Sequence, residues 1–223
     1  MTGYSKTVCV YCGSSKGSSD VFSLAAAELG ELFHSAKWRV INGGGAGLME
    51  VISQHTYGKD HLGHVTGIIP KALLPPDHSF FNVENHRPVL DKDIENAVKV
   101  QDTYGESIIV PDMHTRKTMM AKESDAFVAL PGGFGTLEEV LECITWSQLN
   151  IHTKPIVLFN IGGFYDEFIK FVSTSVEAGF MNEKSKDIFK VANSAQEVLD
   201  HINSYAAPEG RFKFSWGKDD ARI

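Results

Sequence analysis

Along the first half of the chain, short β-branched runs alternate with longer stretches whose apolar positions recur every three to four residues. That is the pattern of a parallel sheet joined by crossover helices. Residues 7–12 read as a buried strand that stops at Gly13. Residues 20–36 are rich in Ala, Leu and Glu and repeat Phe22, Ala26, Leu29 and Phe33 at helical spacing, so one face should lie on the sheet. Residues 38–42 are the second expected strand, 43–47 a glycine turn, 48–55 a helix and 65–69 the third strand. From 70 to 106 the signals blur: Leu74-Pro75-Pro76 marks a loop, Phe80 and Phe81 suit a short strand, and the charged run over 91–99 suits a helix.

Order returns with a strand over 107–110, a helix over 115–123 and a strand over 126–130. The next helix has the clearest periodicity in the chain, with Leu137, Val140, Leu141 and Ile144 at i, i+3, i+4 and i+7. A strand over 155–160 follows, then a helix marked by Phe164, Phe168, Phe171 and Val172, whose phenylalanines are expected in the core, and a last helix over 195–205. The expected fold class is α/β: a Rossmann-like open parallel sheet with helices on both faces. It would form a single domain over residues 1–207, with a surface or frayed tail over 208–223.

Composition narrows the function. At 43% hydrophobic and 22% charged residues, the chain is built to fold rather than to stay disordered. A formal net charge of −7 does not fit the basic footprint that a nucleic-acid backbone demands, so no nucleic-acid partner is expected. Any phosphate would have to be gripped locally, by amides and a few cations. The sequence has neither a run of about 18 apolar residues nor a secretory leader pattern. Three cysteines suit a reducing compartment better than a disulfide framework, so a cytoplasmic protein without a membrane partner is expected.

Three glycine-bearing turns each follow an expected strand and precede an expected helix: Gly13-Ser14-Ser15, Gly43-Gly44-Gly45-Ala46-Gly47 and Gly132-Gly133-Phe134-Gly135-Thr136. In an open parallel sheet such turns gather at the carboxyl ends of the strands, where ligands bind. Glycine admits a phosphate oxygen close to the main chain, and a helix start offers unpaired amides. Any single turn could equally be plain turn chemistry; three in one sheet favour a nucleotide phosphate. None ends in the Gly-Lys-Ser/Thr of a Walker loop and none completes G-x-G-x-x-G, which speaks against ATP hydrolysis and dinucleotide redox chemistry.

The segment Pro131-Gly132-Gly133-Phe134-Gly135-Thr136-Leu137-Glu138-Glu139 resembles the PGGxGTxxE signature of the lonely-guy (LOG) family, cytokinin riboside 5'-monophosphate phosphoribohydrolases once labelled lysine decarboxylases. Asp112-Met113-His114-Thr115-Arg116-Lys117 is similar to the family's second motif, and Cys12-Gly13-Ser14-Ser15 and Gly43 to Met49 are similar to its first two loops. The resemblance runs from about residue 8 to 180, with 79–105 departing from the plant-type pattern. It implies hydrolysis of the N-glycosidic bond of an adenine nucleoside 5'-monophosphate, often N6-prenylated, to free base and ribose 5-phosphate. It also implies a homodimer with the site near the subunit contact, and no metal or organic cofactor.

On this reading Glu139 and Arg116 are catalytic. Glu139 would stabilise the cationic sugar or orient water, and Arg116, always charged, would supply electrostatics rather than a proton. Gly132, Gly133, Gly135 and Thr136 would bind phosphate, Ser14 and Gly45 the rest of the nucleotide, Lys117 phosphate or ribose, and Glu106 the base. Each role has a plainer counterpart. Thr136-x-x-Glu139 is also a capping box, with Thr136 as N-cap and Glu139 folded back on its own backbone. Arg116 could be an exposed helix residue sharing a face with Glu123. Cys9 and Cys12 have a redox-like spacing but fall in a strand, where they should point to opposite faces. Cys143 reads as core, and nine histidines without an H-E-x-x-H pattern give no metal site. A different class, a non-catalytic nucleotide or cofactor carrier, fits the same fold. A decarboxylase would need a Schiff-base lysine, and Lys117 lacks that context.

Overall fold

Strand β1 (Lys6–Tyr11) sends Val8 and Val10 into one hydrophobic layer and Cys9 and Tyr11 into the other, and all four are buried. The same division repeats in β2 (Trp38–Asn42), with Val40 opposed to Ile41, and in the later strands β7 (Ala126–Ala129) and β8 (Ile156–Phe159). A strand buried on both faces needs helices on both, which is why these strands read as nearly continuous apolar runs. The computed structural model describes residues 3–74, 87–88 and 98–216.

The chain then runs α1 (Asp20–Ser35), β2, α2 (Leu48–Tyr57), β3 (His64–Pro70), β4 (Arg87–Pro88), β5 (Val98–Asp102), β6 (Gly105–Val110), α3 (Met113–Glu123), β7, α4 (Phe134–Gln148), β8, α5 (Asp166–Glu177), β9 (Lys190–Ala192) and α6 (Ala195–Asn203). Among the described residues the sheet order is β4-β5-β6-β3-β2-β1-β7-β8-β9. From β6 to β9 every pairing is parallel; β5 and β4 add an antiparallel edge. The winding steps outward from β1 to β2 and β3, then returns to β7 on β1's other side. The switch point therefore lies between β1 and β7, where an open sheet of this kind holds its ligand. Helices α1, α2 and α6 share one apolar layer with the sheet and α3, α4 and α5 the other.

The Rossmann-like α/β expectation agrees with this sheet. Several local expectations do not. The charged run over 91–99 lies outside the described residues except for Val98 and Lys99, which open strand β5 rather than close a helix; Phe80 and Phe81 lie wholly outside. The phenylalanine stripe is only partly core: Phe164 and Phe171 are 45% and 62% exposed. The reason is phase. Helix α5 begins at Asp166, its buried seam runs through Phe168, Ile169 and Val172, and Tyr165 packs just before it, leaving Phe171 on the flank. Leu141, 45% exposed, likewise lies off the buried face of α4.

Of the two states expected for the tail, surface or frayed, the described part lies on the surface and is tied down. Arg211 Nη1 donates to His152 O (3.1 Å), Phe212 N to Gln148 O (2.8 Å) and Trp216 Nε1 to Leu149 O (2.8 Å), so it straps the exit of α4. Cys9 and Cys12 do belong to opposite layers, and all three cysteines are free and buried. No helix among the described residues is long and apolar enough to cross a membrane.

Candidate functional site

The three glycine turns meet at the switch point. Gly13 N donates to Pro131 O (2.9 Å) and Gly13 O accepts from Leu48 N (3.1 Å), so the turn after β1 is tied both to the turn after β7 and to the start of α2. Gly47, at φ 71° and ψ −130°, brings its Cα against the backbone of Ser14 and Ser15; a Cβ there would strike Ser14 C and Ser15 N. Only glycine takes that conformation at little cost. Asn42, at the end of β2, accepts from Gly44 N (2.8 Å) and donates to Ser53 Oγ (2.8 Å), which shapes the turn between them.

Helix α4 starts without help from a side chain. Its N-cap is Gly133, and among the described residues no side-chain cap is made; the main chain at Gly133 and Gly135 is exposed, with no described residue within 4 Å of where a Cβ would stand. By contrast α1, α3 and α6 are capped by Ser19, Asp112 and Ser194. Unpaired amides with clear space in front of them are what an anion requires.

This start corrects the capping-box alternative. With Gly133 as N-cap, Thr136 is the third helical residue and Glu139 the sixth, so the two cannot close a box. Thr136 is buried, its side chain packed behind Gly132. Glu139 turns away from its own backbone and accepts from Arg116 Nη2 at 2.9 Å. Arg116 is therefore no exposed helix cation: both side chains of the pair are 11% exposed, and Glu123 pairs instead with Arg39 at 2.8 Å. Asp112 fixes the start of α3 by accepting from Thr115 N (2.8 Å), and the guanidinium of Arg116 reaches Gly43, where a Cβ would stand 2.7 Å from Nη2. The second glycine turn thus makes room for the arginine.

Burial pushes the Glu139 carboxyl up to about 7, with Arg116 and Lys117 pulling it down and Glu138 and Glu142 adding to the rise. A carboxyl poised near neutrality beside a fixed cation is the kind of group proton-transfer chemistry uses. Arg116 Nε is buried without a hydrogen-bond partner among the described residues.

The remaining expected residues divide. Ser14 and Gly45 are exposed on the converging turns. Lys117 is 17% exposed and its Nζ is held by Glu138 (2.7 Å) and Glu142 (2.8 Å), partners that the sequence reading did not weigh. Glu106 is the second residue of β6 rather than the one before it; it accepts from Thr66 Oγ1 (3.4 Å) and lines a 460 Å³ cavity with Gly44, Gly45 and Tyr104. Among the described residues no cluster of His, Cys, Asp and Glu has the arrangement of a metal site.

A doubly wound sheet with an uncapped helix start and a buried Arg–Glu pair at its switch point defines a Rossmann-like α/β protein. Residues 49–202 match the family profile described as "Possible lysine decarboxylase". The chain is 41% identical over 201 residues to the cytokinin riboside 5'-monophosphate phosphoribohydrolase LOG5 of Arabidopsis thaliana, covering 90% of this chain and 78% of that one. It is also 41% identical to LOG3 of the same plant, covering 90% and 83%. Among solved structures, the Moco carrier protein of Chlamydomonas reinhardtii shares the fold at a TM-score of 0.57 and 21% identity, covering 89% of this chain and 95% of that one. The chain belongs to the lonely-guy family of phosphoribohydrolases.

Proposed function

We propose that the protein hydrolyses the N-glycosidic bond of adenine nucleoside 5'-monophosphates, N6-modified ones of the cytokinin type included, to free base and ribose 5-phosphate. The observation that carries this is the buried Arg116–Glu139 pair, 2.9 Å apart, beside the uncapped start of α4. The amides of the Gly133–Gly135 turn and of Thr136 take the 5'-phosphate, with Gly132 giving the turn its close packing; Ser14 and Gly45 border the nucleoside. Anchoring the phosphate orients the sugar, and orientation alone lowers such a barrier by several kcal/mol, about 7 or more in the best cases.

In the reaction the C1'–N bond breaks with its electron pair leaving on the base, which gains a proton overall. Water adds to C1' and gives a proton to the Glu139 carboxylate. Arg116 holds that carboxylate in place and offsets charge as the bond breaks. No step needs a metal or organic cofactor. Lys117 argues against a decarboxylase, because an ammonium clasped by two carboxylates is the reverse of the neutral amine that a Schiff base demands. The protein acts in the cytoplasm as a homodimer with the site near the subunit contact, and its acidic balance speaks against a nucleic-acid partner.

The test is incubation with AMP, N6-prenylated AMP and adenosine, with chromatography for liberated base. The monophosphates are expected to be cleaved and adenosine left nearly intact. Equal cleavage of adenosine and AMP would remove the phosphate-anchoring argument. Tight binding of AMP with no base released would favour a carrier, the role named for the 21% identical Chlamydomonas neighbour.

A further inference from the structure

The turn that starts α4 is aimed from beneath. Strand β7 makes its last ladder pairs at Ala129, with Tyr11 on one side and Leu158 on the other. Leu130, one residue further on and fully buried, hands the chain to Pro131 and the glycine turn. Its carbonyl oxygen accepts from the Tyr165 hydroxyl at 2.6 Å. A peptide unit is planar, so holding the Leu130 oxygen holds the whole plane that joins Leu130 to Pro131. Proline then adds no freedom at φ, because its ring locks that angle. The direction in which the chain leaves toward Gly132 and Gly133 is therefore set largely at one oxygen atom, and a phenol grips it.

Tyr165 is itself held. It is 2% exposed, and its N–H donates to Asn160 Oδ1 (2.7 Å) while Asn160 Nδ2 donates to Asp166 Oδ1 (2.7 Å), which closes the turn from β8 into α5. Asn160 N donates to Ala192 O (2.8 Å), tying that turn to β9. The Tyr165 ring packs edge-on against Phe164, with centroids 5.1 Å apart. On the opposite flank Leu130 N donates to Tyr11 O and Gly13 N to Pro131 O, both at 2.9 Å. The two residues ahead of the glycine turn are thus fixed by main chain from the β1 side and by a side chain from the α5 side.

We infer that Tyr165 is a positioning residue: by donating to Leu130 O it sets the pitch of the turn over 131–136, and so where the amides at the start of α4 point, acting entirely through the main chain. Its ligand arm rests on the nucleotide reading above; its structural arm stands without it. Loss of the hydroxyl leaves a buried carbonyl short of a donor, and a carbonyl in that state turns toward another partner and takes its peptide plane with it.

The experiment compares wild type, Tyr165→Phe and Ser194→Ala. Tyr165→Phe removes one oxygen and keeps the ring, so the packing against Phe164 survives. Ser194→Ala uncaps α6, elsewhere in the fold, and reports what a loss of stability does by itself. Amide nitrogen–proton correlation spectra are recorded without ligand, and AMP and adenosine affinities are measured by calorimetry. The expected result is that Tyr165→Phe displaces the Gly132, Gly133 and Gly135 signals and binds AMP about tenfold more weakly, since anchoring geometry tolerates little displacement. Its adenosine affinity stays within about twofold of wild type, because adenosine lacks the group that the turn would hold. Ser194→Ala leaves those signals and both affinities in place. Glycine signals at their wild-type positions in Tyr165→Phe, an unchanged AMP affinity, or an equal weakening toward AMP and adenosine would each overturn the inference. If wild type did not prefer AMP to adenosine, the phosphate reading of the turn would fall. The glycine signals would still decide whether Tyr165 sets it.

Discussion

Replacing Glu139 by Gln leaves an oxygen for Arg116 Nη2 to donate to but deletes one titration, and the effect on stability can be worked from the structure. Burial raises the Glu139 carboxyl from 4.5 to about 7. Between those values the folded state holds a proton that the unfolded chain has released, so stability from this group is complete below 4.5 and lost as pH rises through 7. At 1.36 kcal/mol per pH unit the span is on the order of 3 kcal/mol. His152 works in the opposite sense. Burial holds its imidazole down, from 6.5 to about 4, while Nε2 donates to Cys143 O (2.9 Å) and Nδ1 accepts from Lys154 N (3.1 Å). Its contribution is complete above 6.5 and lost as pH falls through 4, again on the order of 3 kcal/mol. The two slopes oppose each other over the shared window and nearly cancel in the wild type.

Glu139→Gln removes one slope and exposes the other. Urea unfolding of wild type and variant at intervals between pH 4.5 and 7 should give a stability difference that drifts steadily. The variant gains on the wild type by about 3 kcal/mol as pH rises, because only the wild type is still losing a bound proton. Groups remote from the pair contribute equally to both proteins and drop out of the difference. A difference that does not vary with pH would mean that Glu139 titrates as an ordinary exposed carboxyl, and the account of a desolvated site would be wrong.

Two further substitutions separate site architecture from general stability. Gly47→Ala puts a methyl group onto the Ser14–Ser15 backbone in a conformation nearly closed to side chains. It should lower unfolding free energy by about 1–3 kcal/mol and raise the KM for AMP, measured by urea titration and steady-state kinetics. Ser194→Ala removes the side-chain cap of α6, remote in the fold from the turns. It should cost about 1 kcal/mol by the same titration while leaving kcat and KM for AMP unchanged.

What could be read from the sequence follows from what leaves a local trace. Strands buried on both faces and helices with a repeating apolar seam declare themselves within a few residues, so β1, α1 and α4 were legible. Strand β9, three residues at the sheet edge, is too short to show a period, and β5 owes its existence to pairing with β6. The glycine turns were legible as turns; their convergence was not, because the contact of Gly47 with Ser14 and the room that Gly43 makes for Arg116 join residues far apart in the chain. Thr136-x-x-Glu139 misled as a capping box because the helix starts three residues earlier than its N-terminal chemistry suggests. The true partner of Glu139 lies 23 residues upstream, on another helix. The tail, expected only as surface or frayed, docks on the exit of α4 through contacts with residues far upstream, which leave no local trace in the sequence.

Helix α4 leaves its first amides without a side-chain cap, whereas α1, α3 and α6 are capped by their own side chains; we propose that a guest completes α4. On the proposed reading, bond cleavage divides that guest unequally: the departing purine takes none of the negative charge, and the sugar fragment keeps all of it. The helix dipole therefore retains one product and is indifferent to the other, so the order in which the halves escape is already written into an end that no side chain closes.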